Sequence, residues 1–162
     1  KPPRLCITGH RALGEKLHHR VLLSHEDAND VLQNVFIKVW NNLQNFQGKS
    51  SLSTWLYRIA INESLDFLRK QKLSDRVSAD EDVSVASRLM SDEYFDGDEV
   101  QARLQEAVAR LPEVQRTVFN LKYFEEMKYS EISQILNTSE GALKASYHLA
   151  VKKITEYLHL FD

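Results

Sequence analysis

Cysteine, proline and glycine are all scarce in this 162-residue chain. Its one cysteine, Cys6, cannot form an internal disulfide, and without companions at ligand spacing it makes no metal site, so it reads as a small apolar residue. His10, His18, His19 and His25 likewise have no Cys or carboxylate companions at ligand spacing, so no metal or cofactor is expected. Two of the three prolines stand at positions 2 and 3, glycines number five, and no stretch alternates apolar with polar residues for long, so β-strands are not expected. No window approaches the roughly eighteen consecutive apolar residues of a membrane span. The opening Lys1-Pro2-Pro3-Arg4 lacks a secretory signal, and the expected location is the cytoplasm, without membrane insertion. A nucleophile elbow, a phosphate-binding glycine loop and zinc-ligand spacing are also missing, so enzymatic chemistry has no support.

What is present is helical periodicity and an uneven distribution of charge. The net charge is −2. Residues 1–73 hold eleven Lys and Arg against six Asp and Glu, residues 74–100 hold two against nine, and residues 101–162 hold eight against eight, giving +5, −7 and 0. The middle segment, "SDRVSADEDVSVASRLMSDEYFDGDEV", is Ser-rich and weakly periodic, as expected of a flexible acidic linker between two small domains. The fold class expected is therefore all-α, with two small helical domains joined by that linker.

In the first domain, Ala28, Val31, Leu32, Val35, Phe36, Val39 and Leu43 recur at three- and four-residue steps and form one apolar stripe. "NFQGKSS" breaks that pattern, Ser53 or Thr54 is the expected cap of a second helix, and Trp55, Leu56, Ile59, Ala60, Leu65 and Leu68 supply its apolar side. After the linker, Leu104, Ala107, Val108 and Leu111 form a further stripe, and Pro112 opens a helix bearing Val114, Val118, Phe119 and Leu121. Ser130 is the expected cap of a short helix with Ile132, Ile135 and Leu136 inward. Asn137 suits its left-handed end, and Ser139 caps the last helix. Two helices so joined are a helix-turn-helix candidate. On the last helix, Leu143, Tyr147, Ala150, Val151 and Ile154 are expected inward, leaving Lys144, His148 and Lys152 along another side with the small Gly141, Ala142 and Ala145 near its start. Taken alone, that helix fits either a DNA groove or an ordinary bundle with a solvated lysine side.

The segments "EDANDVLQNVFIKVW", "FQGKSSLSTWLYRIAIN" and "LPEVQRTVFNLKYFEEMKYSEISQILNTSEGALKASYHLAVKKI" together resemble the extracytoplasmic-function class of bacterial sigma factors, in that family's order and spacing. The resemblance implies a σ2-like domain over 1–73, an acidic linker over 74–100 and a σ4-like domain over 101–162. It also implies promoter DNA and core RNA polymerase, through its β′ and β subunits, as partners, with an anti-sigma factor as a further candidate. Carried over residue by residue, it assigns polymerase binding to Asp30, Gln33, Asn34, Ile37, Trp40 and Asn41. The −10 element falls to Phe46, Gln47, Gly48, Lys49, Ser50, Ser51, Arg58 and Asn62, where holding a base out of the stack needs polar edges and an apolar wall. The −35 element falls to Ser139, Glu140, Gly141, Ala142, Lys144 and His148. Trp55 is open between a core role and a stacking platform, and the linker between a plain tether and a segment lying along basic channel walls.

Two departures accompany the resemblance. Relatives carry Arg where this chain has Ser146, Leu149 and Val151, which lowers the expected phosphate affinity. Relatives also begin the first domain with a long helix, whereas "KPPRLCITG" reads as irregular, with Leu17, Val21 and Leu22 offering only a short helical side. A stand-alone helix-turn-helix regulator or adaptor is the alternative function, and it leaves "TWLYRIAIN" without a role.

Overall fold

The computed structural model describes residues 25–75, 90–91 and 97–161, and the chain divides at Leu73 into two units. Cys6, the segment with Leu17, Val21 and Leu22, the three N-terminal histidines and most of the acidic segment lie outside the described residues. Regular structure among the described residues is helical throughout.

In the first unit, α1 covers His25–Asn42, a single 3₁₀ turn follows at Leu43–Asn45, and α2 covers Leu52–Asp75. Asp27 accepts a hydrogen bond from Gln71 at 3.4 Å, and Lys38 forms an ion pair with Glu63, so the two helices run antiparallel. Ala28, Val31, Leu32 and Val35 are buried as their spacing predicts, but the stripe ends there: Phe36 and Leu43 are exposed and Val39 only half-buried. The buried side of α2 is Thr54, Ala60, Ile61, Ser64 and Leu68, a line that includes two hydroxyl residues and therefore hides from a search for apolar periodicity. Both hydroxyls are satisfied locally. Ser64 donates to the Ala60 carbonyl at 2.9 Å, and Thr54 Oγ1 accepts from Ser51 Oγ at 2.8 Å.

Ser51 is also the cap of α2, in place of the expected Ser53 or Thr54. Its Oγ accepts from the Thr54 amide at 3.1 Å and its carbonyl from the Trp55 amide at 3.0 Å, so the helix begins a few residues earlier than the sequence suggests.

In the second unit, α3 (Glu99–Ala109), α4 (Glu113–Phe119), a wide π-helical turn (Asn120–Phe124), α5 (Tyr129–Leu136) and α6 (Glu140–Leu158) follow in order. The long α6 packs against α3, α4 and α5 and organises the core. Ala107, Val108, Leu111, Phe119, Ala150 and Ile154 meet there, flanked by Leu104, Phe124, Tyr147, Tyr157 and Leu158. Burying side chains of this size contributes about 1.5–3 kcal/mol each, against the entropy of ordering them. Val114 and Val151, expected inward, are 59% and 39% exposed, while Val118, Phe119, Leu143 and Ala150 on the same helices are buried.

Lys128, not Ser130, precedes α5: its amide donates to Glu131 Oε2 at 2.8 Å, half of a capping box with the glutamate three residues on. Asn137 ends α5 at φ 51° and ψ 47°, the left-handed conformation expected of it. Ser139 Oγ then accepts from the Ala142 amide at 3.3 Å and starts α6. The turn between α5 and α6 is thus only three residues long, Asn137 to Ser139, and the two helices pack on each other with Ile132 and Leu143 fully buried.

Candidate functional site

Three surfaces gather the residues singled out from the sequence. On α1, Asp30, Gln33, Asn34, Ile37, Trp40 and Asn41 are all exposed, opposite the buried Ala28, Val31, Leu32 and Val35. Two of them are large and apolar, Ile37 at 59% and Trp40 at 80% exposure. Phe36 and Leu43 extend this apolar surface. A helix that spends so much apolar area on water, rimmed by acid and amide groups, has the composition of a protein-binding surface.

The second surface runs from Phe46 into α2. Gln47, Gly48, Lys49 and Ser51 are exposed, and Phe46 and Ser50 are half-buried. Gly48 adopts φ +67° with nothing within 4 Å of an added Cβ, so glycine is needed for conformation and not for space. Phe46 lies against Trp55, ring centres 5.3 Å apart and tilted by 54°. Trp55 is half-buried, one side on Phe46 and another lining a cavity of about 290 Å³ with Lys38, Asn42, Asn45, Ile59, Asn62 and Glu63. The cavity therefore combines an indole wall with three carboxamides and an ion pair. Asn62 opens onto it, whereas Arg58 is half-buried, and its Nε is buried without a hydrogen-bond partner. Lys38, Asn42, Asn45 and Glu63 escaped the sequence reading because the cavity joins positions 25 residues apart across two helices, as the Lys38–Glu63 pair illustrates.

The third surface is the outward side of α6. Ser139, Glu140, Gly141, Ala142, Lys144 and His148 are all exposed, together with Ala145 and Lys152. Behind them lies an aromatic stack. Tyr123, Phe119 and Tyr147 pack nearly parallel, with centres 5.1 and 5.8 Å apart, and Tyr129 meets Tyr147 edge-on at 6.5 Å. The Tyr129 ring has Lys122 Nζ at 4.8 Å and Lys144 Nζ at 5.7 Å from its centre. Tyr129 was not singled out from the sequence, where its relation to Lys144 across the turn has no local signature. Burial, with the neighbouring Tyr129 and Tyr123 adding to it, holds the Tyr147 hydroxyl above the ordinary tyrosine range.

All three surfaces lie within segments that match known protein families. Residues 7–74 match the Sigma-70 region 2 family and residues 101–154 match Sigma-70, region 4. The chain is 34% identical over 142 residues to the ECF RNA polymerase sigma factor SigW of Bacillus subtilis (strain 168), covering 82% of this chain and 76% of that protein. It belongs to the extracytoplasmic-function sigma factors. A second relative, the RNA polymerase sigma factor SigV of the same organism, is 31% identical over 147 residues, covering 91% of this chain and 85% of that protein.

The fold agrees with two solved structures. The sigma factor RpoE, in a co-crystal structure with the anti-sigma factor NepR from Bartonella quintana, superposes with a TM-score of 0.75 at 21% identity, covering 91% of each chain. CnrH, solved in complex with the cytosolic domain of CnrY, gives 0.72 at 20% identity, covering 96% of this chain and 86% of that one. As a sigma factor, the chain serves promoter recognition and transcription initiation by RNA polymerase. The stand-alone helix-turn-helix regulator is not favoured, since it uses the second unit alone and leaves the region 2 match without a function. Among the described residues no helix is long and apolar enough to cross a membrane.

Proposed function

We propose that the exposed side of α1 docks on core RNA polymerase, that the Phe46–Ser51 loop with Arg58 and Asn62 engages the opened −10 element, and that α6 enters the major groove of the −35 element. The observation that carries the reading is Trp40, four-fifths exposed on a helix whose other side is a regular core. Large aromatic groups presented in this way are typical anchors of protein interfaces. The carboxamides and indole around the cavity suit a base held out of the stack, with hydrogen-bonding edges and an aromatic wall. The three-residue turn before α6 and the small side chains on its first turns suit close approach to a duplex.

On this reading the chain has no catalytic groups of its own and works in the cytoplasm. Its activity is to place polymerase at promoters and stabilise melted DNA. An anti-sigma protein is a further partner, by analogy with the complex in which RpoE was solved.

Gel filtration of the full chain with cognate core polymerase, followed by run-off transcription, tests the polymerase surface. Ile37→Ala combined with Trp40→Ala is expected to weaken association by roughly tenfold or more, the scale of losing an interface anchor. Co-elution of the double variant at wild-type concentrations removes this side of α1 from the interface.

A further inference from the structure

The outward side of α6 carries two different rows. Lys144, His148 and Lys152 follow one another at four-residue steps, and Ala142, Ala145 and Leu149 run beside them at three- and four-residue steps. All six are exposed, and Leu149 presents 47% of its surface. The cationic row is partly engaged within the domain: Lys144 lies over the Tyr129 ring, and Lys152 has Glu156 at 3.9 Å. The apolar row faces outward on the same turns, within the first ten residues of the helix, the part of a recognition helix that meets base edges.

The major-groove edges of the four bases differ in hydrogen-bonding groups, and thymine alone adds an apolar one, its C5-methyl. Alanine methyls and an isobutyl group complement that methyl. The same Leu149 set against guanine would cover the O6 and N7 acceptors without offering a donor, so it selects against G·C pairs as well as for A·T pairs. A rise of about 1.5 Å per residue separates Ala145 from Leu149 by about 6 Å along the axis. That is close to two base-pair steps of about 3.4 Å.

We infer that Ala145 and Leu149 read thymine methyl groups in the major groove of the −35 element, so that this sigma factor selects T·A pairs about two steps apart. The inference rests on the reading that α6 occupies that groove.

The test uses the full chain assembled with core polymerase. A −35 element is selected from a randomised promoter library by run-off transcription, then rebuilt with deoxyuridine in place of each thymidine, which removes only the methyl. The expected result is one or two thymines whose demethylation weakens promoter binding about fourfold each, the value of one buried methyl-sized group. Leu149→Ala is expected to abolish that sensitivity at one of them, and Leu149→Arg to move the selected base there to guanine. Templates insensitive to deoxyuridine at every position, or a selected element without thymine, overturn the inference. If deoxyuridine is silent while Lys144→Ala and His148→Ala flatten the selection, α6 lies in the groove and the methyl readout is wrong. If those variants and deoxyuridine all leave selection unchanged, the groove reading itself falls and takes this inference with it.

Discussion

Asn137 stands at φ 51°, ψ 47°, where a side chain with a Cβ is ordinarily strained and where asparagine is among the best tolerated of the non-glycine residues. It ends α5 so that Ser139 can begin α6 after a turn of only three residues, so its conformation sets the angle of the helix-turn-helix. Asn137→Ala is expected to lower stability by about 1 kcal/mol and Asn137→Gly to leave it unchanged or slightly raised, as measured by chemical unfolding. Equal losses from both would mean that the asparagine side chain, not the backbone, holds the turn. Tyr147 makes a second prediction at this scale. Burial raises its hydroxyl pKa above the usual 10.0. The contribution of such a group is intact below the unfolded pKa and is lost as pH rises through the folded one. Stability is therefore expected to fall as pH climbs above about 10, less steeply in Tyr147→Phe, and identical alkaline profiles for the two proteins would exclude Tyr147 as a cause.

At the scale of elements, the start of α2 separates structural from DNA-facing roles. Ser51 caps a helix of 24 residues and satisfies the buried Thr54, and it also belongs to the loop proposed to meet the −10 strand. Ser51→Ala removes the cap and is expected to cost about 1 kcal/mol in thermal or chemical unfolding. Ser51→Asp retains a capping acceptor while placing a negative charge beside DNA, so it is expected to keep near-wild-type stability and to impair promoter opening, read by permanganate reactivity of the −10 region. Normal opening by Ser51→Asp would leave Ser51 a cap and nothing more. Helix positions were legible from apolar spacing wherever the buried line was apolar, as along Leu104, Ala107, Val108 and Leu111. They were misread where polar groups share the line, as at Thr54 and Ser64, and where a capping glutamate lies three residues on, as at Lys128 and Glu131. The polar candidates on α1 and the lysine side of α6 were visible as gaps in the stripes, whereas Ile37 and Trp40 came only from the resemblance. The cavity beside Trp55 was not, because it depends on Lys38 and Glu63 meeting across two helices.

For the whole molecule, the distribution of charge limits what the chain does alone. Residues 101–162, which hold the proposed −35 reader, carry eight basic and eight acidic residues, while the excess of seven acidic charges is confined to 74–100. Binding to a duplex draws most of its affinity from neutralising phosphates and releasing their counterions, so a domain with no net positive charge starts with little of that driving force. On α6 itself three lysines stand against two glutamates, Glu140 at its start and Glu156 3.9 Å from Lys152, so the helix adds little positive charge. An acidic segment tethered to the same chain further competes for whatever basic groups remain. On the proposed reading, polymerase removes this handicap by holding the proposed −10 and −35 readers on one template, which raises the effective concentration of each without any new base contact. The free chain is therefore expected to bind promoter duplex no better than typical non-specific affinity, about 10⁻⁴–10⁻⁶ M at physiological salt, and the assembled holoenzyme far more tightly. Fluorescence anisotropy over a salt series checks this. A shallow slope of log affinity against log salt for the free chain accords with few phosphate contacts, whereas tight, sequence-selective binding by the free chain would mean that recognition on α6 works without polymerase and would revive the helix-turn-helix adaptor.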